Sequence, residues 1–175
     1  MLVSVRLATS ADVDLLADLG ERTFRDAFGA DNDPGDTDRH VAATYAPAVI
    51  AAELARLDSA FLIAERDGRP AGYTLVTAGS ATESVEADAP VELARIYVES
   101  AATGSGVGSA LMEAVLEHAA RGGHDALWLG TWERNTRGVR FYERWGFETV
   151  GEKTFTVGLD VQRDLVMARP VAGRG

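Results

Sequence analysis

The feature that most constrains this 175-residue chain is a continuous unit at its centre: VELARIYV at 91–98, then the glycine-rich SAATGSGVG at 100–108, then a segment in which Val107, Leu111, Val115 and Ala119 recur at helical spacing. Alternation, a run of turn formers and a 3.6-residue period read in order as strand, tight loop and helix. Gly104, Gly106 and Gly108 free the backbone to turn sharply. A helix that starts directly behind them presents unpaired N–H groups and the positive end of its dipole to an anion such as a pyrophosphate. A mononucleotide P-loop needs Gly-Lys-Ser/Thr, whereas Gly108 is followed by Ser109 and the loop holds no lysine. A dinucleotide GxGxxG fingerprint asks for glycine or alanine at 109 and a start almost at the strand's end, so it fits poorly. A glycine-rich turn without a ligand remains an alternative at this point.

The remaining sequence supplies elements for one α/β domain over 1–175. Residues 3–8 alternate as a strand, and Ser10 can cap a helix carrying Val13, Leu16, Leu19 and Phe24. The stretch 29–38 is rich in turn formers, Thr37 can cap a second helix, and Pro47 divides that helical region. Residues 60–66 and 70–78 form a hairpin around Asp67-Gly68-Arg69-Pro70, and 79–90 is an acidic connection. Strands are expected at 126–131, near 147–157 and at 163–169, with a short helix at 135–144.

Composition removes several functions. There is no cysteine, hence no disulfide, thiolate metal site or cysteine nucleophile, and His40, His118 and His124 are too far apart for a local metal motif, so no metal is expected. The formal charge of −10 and the lack of a basic face argue against nucleic acid as partner and in favour of a cationic one. No apolar run approaches a membrane span, and the start lacks the order of a signal peptide, so no membrane partner and a cytoplasmic location are expected. Residues 1–60 carry eleven Asp or Glu against five Arg, with Asp31, Asp33, Asp36 and Asp38 close together. A solvated acidic loop and a polycation-attracting rim both account for that cluster.

ARIYVESAATGSGVGSALMEAV resembles the coenzyme-binding motif of the GCN5-related N-acetyltransferases, with Thr103, Gly106 and Gly108 at the Gln/Arg-x-x-Gly-x-Gly/Ala positions and Thr103 departing from the usual residue. NTRGVRFYERWGF (135–147) is similar to the same family's second signature, and the two stand in the family's order. TFRDAFGADN, LGTWERNTRGVRFYERWGF and GLDVQRDLVM are similar to PaiA-type spermidine/spermine acetyltransferases within that family. The resemblance implies a mixed, mostly antiparallel sheet of about seven strands flanked by helices. It further implies acetyl-CoA as cosubstrate and a small amine, such as a polyamine, as acceptor. By analogy with relatives it also implies a homodimer. A non-catalytic acyl-CoA-binding regulator on the same fold, and an unrelated nucleotide-binding module, are the competing readings.

The resemblance implies that Thr103, Gly104, Ser105, Gly106, Val107, Gly108 and Ser109 cradle the pyrophosphate. Ile96, Tyr97 and Val98 would pair with the pantetheine arm, a backbone N–H near Val98 would polarise the thioester carbonyl, and Asn135 would bind the pantetheine or cap its helix. An amine of reference pKa about 10.4 must lose a proton before attack. Glu92, placed by simple alternation on one face with Ala94, Ile96 and Val98 and matching the family's base glutamate six positions before Val98, is the expected base; Glu133 and a water relay are the alternatives. Tyr142, two helical turns beyond Asn135, is the expected acid for the departing thiolate. Arg144 is a candidate for the 3′-phosphate, Trp132 and Tyr97 for cation–π contacts, and Glu21, Asp26 and the 31–38 cluster for holding a polycation.

Overall fold

The computed structural model describes residues 2–80 and 82–172, the Phe155 side chain apart. In chain order the elements are β1 (Val3–Leu7), a 3-10 turn (Ser10–Asp12), α1 (Val13–Phe28), α2 (Pro34–Tyr45), α3 (Pro47–Leu54), β2 (Ser59–Arg66) and β3 (Arg69–Ala78). There follow β4 (Pro90–Val98), a 3-10 turn (Ser100–Ala102), α4 (Val107–Arg121), β5 (Ala126–Trp132), α5 (Thr136–Arg144), β6 (Glu148–Val157) and β7 (Asp160–Pro170). The described strands form one seven-stranded sheet in the order β1-β2-β3-β4-β5-β7-β6, antiparallel except for β4 with β5. The sequence reading of a mixed, mostly antiparallel sheet flanked by helices is met.

Local chemistry explains the boundaries, including two that differ from expectation. Thr9, not Ser10, caps the first turn: its hydroxyl accepts from Ala11 N–H at 3.3 Å while the Asp12 carboxylate accepts from Thr9 N–H at 2.8 Å, a reciprocal capping box. The helix for which Thr37 is the expected cap begins earlier, at Pro34. Asp33 accepts from the N–H groups of Gly35 and Asp36 at 2.8 and 3.2 Å, and Pro34 occupies a position whose missing N–H costs nothing. The β2–β3 turn is the two-residue Asp67-Gly68, both at positive φ, as the twist of a tight hairpin requires.

The helices divide between the two faces of the sheet. Leu16, Leu19 and Phe24 of α1, with Val41 and Tyr45 of α2 and Ile50 of α3, pack on Phe61, Ile63, Tyr73 and Leu75. On the other face α4 buries Met112, Val115 and Ala119 against Val76, Val91, Leu93 and Leu127, and Val107 and Leu111 against Ala64 and Ala71. At roughly 25 cal/mol per Å², each of these fully buried large side chains contributes about 1.5–3 kcal/mol, which anchors the glycine loop at the head of α4 to the sheet.

Two irregularities shape the site. β4 and β5 pair only over Pro90–Glu92 with Ala126–Trp128, after which β5 bonds only to β7, as far as Trp132 opposite Asp164. Ala94 is an extra residue in β4, since Leu75 faces Arg95 while Val76 faces Leu93. A bulge of this kind bends a strand and increases its twist, and here it lies where β4 leaves its parallel neighbour. It also overturns the simple alternation expected across 91–98. Ile96 and Val98 turn toward α4 with Val91 and Leu93, while Tyr97 joins the α1–α2 core.

Candidate active site

The gap between β4 and β5 has a cavity on each side, and the two share a wall. On the α4 side a groove of about 510 Å³ runs along Ile96, Tyr97 and Val98, past Thr103, Gly104, Gly106, Gly108 and Ser109, and on to α5. On the α1–α2 side a second cavity of about 320 Å³ lies beneath Phe24 and Phe28, with Trp132 and Asp164 in its wall. Phe28, Ile96, Tyr97, Asn135 and Tyr142 line both. Tyr142 thus stands at the throat, on a helix whose Val139 and Phe141 pack into the α4-side core.

The loop is built for an anion. Gly104 and Gly106 take φ of +78° and +88°, and Gly106 is the N-terminal cap of α4. The helical ladder begins with Ala110 N–H to Gly106 C=O at 2.9 Å, so the N–H groups of Val107, Gly108 and Ser109 precede it and are the donors a helix start leaves over. Gly108 faces Phe141 with room for no more than van der Waals contact, which brings α5 against the loop. Two expected loop contacts turn elsewhere: the Ser105 hydroxyl donates to the Ala102 carbonyl at 2.5 Å, and the Val107 side chain is wholly buried in the core. Arg144 does line the groove, and so do Arg137 and Phe141, which the motif reading did not single out.

Asn135 caps α5, its Oδ1 accepting from Gly138 N–H at 3.0 Å, and its backbone N–H bonds to Trp132 C=O at 2.9 Å. Burial at the throat raises the pKa of the Tyr142 hydroxyl, so the phenol is held protonated. Tyr97 is likewise raised by burial first, with neighbouring Tyr45 and Tyr142 adding to it.

The carboxylates are arranged otherwise than expected. Glu92 borders a separate depression beside Ser80 and Arg95, where its carboxylate accepts from the Ser80 hydroxyl at 2.5 Å and lies 3.8 Å from the Lys153 ammonium. Glu133 points away to Arg163 at 3.5 Å and is more than a third exposed. Of the acidic residues considered for an acceptor rim, Glu21, Asp26, Asp33, Asp36 and Asp38 are engaged in structure. Asp33 caps α2, Asp36 pairs with Arg39 and accepts from Leu159 N–H at 3.1 Å, and Asp38 and Glu21 pair with Arg25 at 2.7 and 3.0 Å. Asp26 accepts from Ser100 at 3.0 Å. The carboxylate that does enter the α1–α2 cavity is Asp164, which had no part in the sequence reading. It is 5% exposed, its Oδ1 has no hydrogen-bond partner, and burial raises its pKa to about 6 against the lowering pull of Lys153.

The sheet is thus parted beside a glycine loop, with a helix-borne phenol between two cavities. The sequence profile of the Acetyltransferase (GNAT) family matches residues 22–147. The chain belongs to that family, and its class is N-acetyltransferase. It is 35% identical over 158 residues, covering 90% of this chain and 97% of the other, to an uncharacterized N-acetyltransferase of Mycobacterium tuberculosis strain H37Rv. To an uncharacterized N-acetyltransferase of Lactobacillus delbrueckii subsp. lactis it is 28% identical over 170 residues, 96% of this chain and 98% of the other. Among solved structures its fold is similar to the PaiA N-acetyltransferase of Thermoplasma acidophilum in complex with coenzyme A, with a TM-score of 0.78, 18% identity and coverage of 97% and 99%. It is also similar to YncA of Salmonella typhimurium with acetyl-CoA, at a TM-score of 0.69, 20% identity and coverage of 100% and 97%. No helix among the described residues is long and apolar enough to cross a membrane, and no cluster of three metal-ligating side chains occurs among them.

Proposed function

We propose that this chain transfers the acetyl group of acetyl-CoA to a primary amine of a small molecule, directly, within a ternary complex. The observation that carries the reading is the meeting of the two cavities at Ile96, Tyr97, Asn135 and Tyr142: one is shaped for a pantetheine-like arm, the other is aromatic and contains a carboxylate. Coenzyme A and acetyl-CoA in complexes of proteins with this fold support the choice of cosubstrate.

In this reading the N–H groups at the head of α4 hold the pyrophosphate, with Thr103, Gly104, Gly106, Gly108 and Ser109 along the groove and Arg144 near its end. The backbone of Ile96–Val98, unpaired by β5, bonds to the pantetheine as an added strand would, and an N–H of this stretch stabilises negative charge on the thioester oxygen. Tyr142 gives its proton to the departing sulfur; its raised pKa keeps that proton available at neutral pH. With no cysteine in the chain there is no thiol to carry the acetyl group between the two substrates. Glu92 acts by anchoring Lys153 rather than by touching the acceptor.

A polyamine such as spermidine or spermine is the acceptor favoured by the PaiA resemblance. The acidic cluster gives that choice little support, because ion pairs and a cap engage Asp33, Asp36 and Asp38. The test is coenzyme A release from acetyl-CoA with spermidine, spermine, putrescine, amino acids, aminoglycosides and a lysine peptide. Turnover of polyamines alone supports the full reading, and turnover of another amine keeps the reaction while discarding the polyamine. Binding of acetyl-CoA without turnover of any amine identifies a non-catalytic acyl-CoA-binding module.

A further inference from the structure

We infer that the Asp164 carboxylate, buried in the wall of the acceptor cavity with Oδ1 unpartnered, receives the ammonium group of the acceptor and takes its proton before attack on the thioester. The inference rests on the acetyltransferase reading of the same site.

The placement follows from the sheet. Asp164 of β7 faces Trp132 of β5 on one side and Lys153 of β6 on the other, so the three side chains share the face that forms the cavity floor. A buried carboxylate without a partner is costly, and sites of this kind are kept where a ligand completes them. Here the missing partner is a donor, and the surrounding aromatic surface of Trp132 and Tyr97 suits a cation. Lys153 does not fill the role. Gly130 lacks a side chain, which lets the lysine stem lie across that position, and the ammonium rests over the Trp128 ring at 5.1 Å and near Glu92 at 3.8 Å.

The other titratable groups around the cavity are committed. Arg95 of β4 is paired with Glu53. His40 of α2 stacks on Phe24 and is lowered by burial, while Tyr45, Tyr97 and Tyr142 are raised by it. Asp164 is thus the carboxylate positioned to exchange a proton with an amine in this cavity. An ordinary carboxylate lies about six pK units below an alkylamine; raising Asp164 to about 6 narrows the gap, and docking the cation beside the carboxylate supplies the initial encounter.

The step balances. One proton of the ammonium passes to Oδ1, and the freed nitrogen pair forms the N–C bond to the thioester carbonyl carbon. The C–S bond then breaks with its electrons on sulfur, which takes the Tyr142 proton. The second nitrogen proton returns to the Tyr142 oxygen through water, and Asp164 releases its proton to solvent. Acetyl-CoA and ammonium become amide, coenzyme A and one proton.

The test compares wild type with Asp164→Asn, which keeps the shape of the side chain. Acetyl-CoA affinity is measured by calorimetry, and kcat/KM is followed over pH 5–9 with any amine the wild type acetylates. The expected variant binds acetyl-CoA within about twofold of wild type and loses about 100-fold or more in kcat/KM. Independently, 13C NMR of the assigned Asp164 carboxyl in wild-type protein should show a titration near pH 6 that moves to lower pH when the same panel of amines is added. A variant with wild-type kcat/KM, or a carboxyl titration that no amine moves, overturns the assignment. The NMR arm decides where the variant fails to fold or where no amine is turned over. A wild type that binds no acetyl-CoA overturns the acetyltransferase reading instead.

Discussion

The guanidinium of Arg95 clasps the carboxylate of Glu53 through two bonds of 2.9 and 2.8 Å, both side chains less than a fifth exposed. This bidentate pair ties α3 to β4 one residue beyond the bulge at Ala94, and it sets Arg95 over the Tyr45 ring at 5.4 Å in the α1–α2 cavity. The bent stretch of β4 is therefore fixed from the α3 side. Glu53→Ala leaves a largely buried cation unpaired and is expected to cost about 3 kcal/mol. Urea unfolding should give that loss, and steady-state kinetics should show the KM for the amine raised severalfold with acetyl-CoA affinity close to wild type. Equal loss of affinity for both substrates would contradict a role confined to the acceptor side.

Gly106 caps α4 at φ +88° with nothing within 4 Å of a would-be Cβ, so replacing it tests the backbone alone. Gly106→Ala is expected to destabilise by about 1–2 kcal/mol and, because the loop's N–H groups then turn from the groove, to weaken acetyl-CoA at least tenfold by calorimetry.

Tyr142→Phe removes the throat hydroxyl and leaves the ring that packs on Phe147. Acetyl-CoA affinity should stay within about twofold and kcat should fall about 100-fold, a loss confined to the reaction step.

Two buried carboxylates pull stability in opposite directions with pH. The Arg6 guanidinium, bonded to Asp12 at 2.8 and 2.9 Å, is the main reason Asp12 is held down at about 2. Its stabilisation is complete above the unfolded value near 4 and is lost as pH falls from there through 2. Asp164, raised to about 6, disfavours folding once ionised: stability declines as pH rises from about 4 through 6 and then levels. Asp12→Asn should cost about 1–2 kcal/mol at pH 7 and less at pH 2.5, allowing for the half-exposed Arg6. Asp164→Asn should raise stability by roughly 2 kcal/mol at pH 7 and by little at pH 4. Thermal unfolding at the three pH values checks both signs.

The strand–loop–helix unit and the Asn135-to-Tyr142 helix were legible in the sequence because each is a local object: glycine spacing, a capping asparagine and a two-turn interval need no knowledge of partners. Glu92 was misplaced because alternation was carried across Ala94, and a bulge is a property of the pairing with Leu75 and Val76 that one strand's sequence does not reveal. Asp164 was passed over for a related reason. In VQRDLVM it has the look of an outward-facing polar residue, and its burial comes from Trp132 and Lys153 on neighbouring strands. Of the cluster that admits both a solvated loop and a polycation-attracting rim, Asp33 is a cap and Asp36 and Asp38 are in ion pairs, and the cap is signalled locally by Asp33-Pro34.

Among the described residues, three ladder pairs and the adjoining bond from Asp125 N–H to Ala89 C=O are the backbone seam between a four-stranded and a three-stranded block. In the proposed binding mode a cosubstrate lies in that parting, spans both blocks and acts as a rivet. Because such binding favours the folded chain over the unfolded one, free acetyl-CoA at a hundred times its Kd adds about 2.7 kcal/mol to folding. Through that seam, the resistance of the molecule to heat and proteolysis is expected to rise with the concentration of free acetyl-CoA.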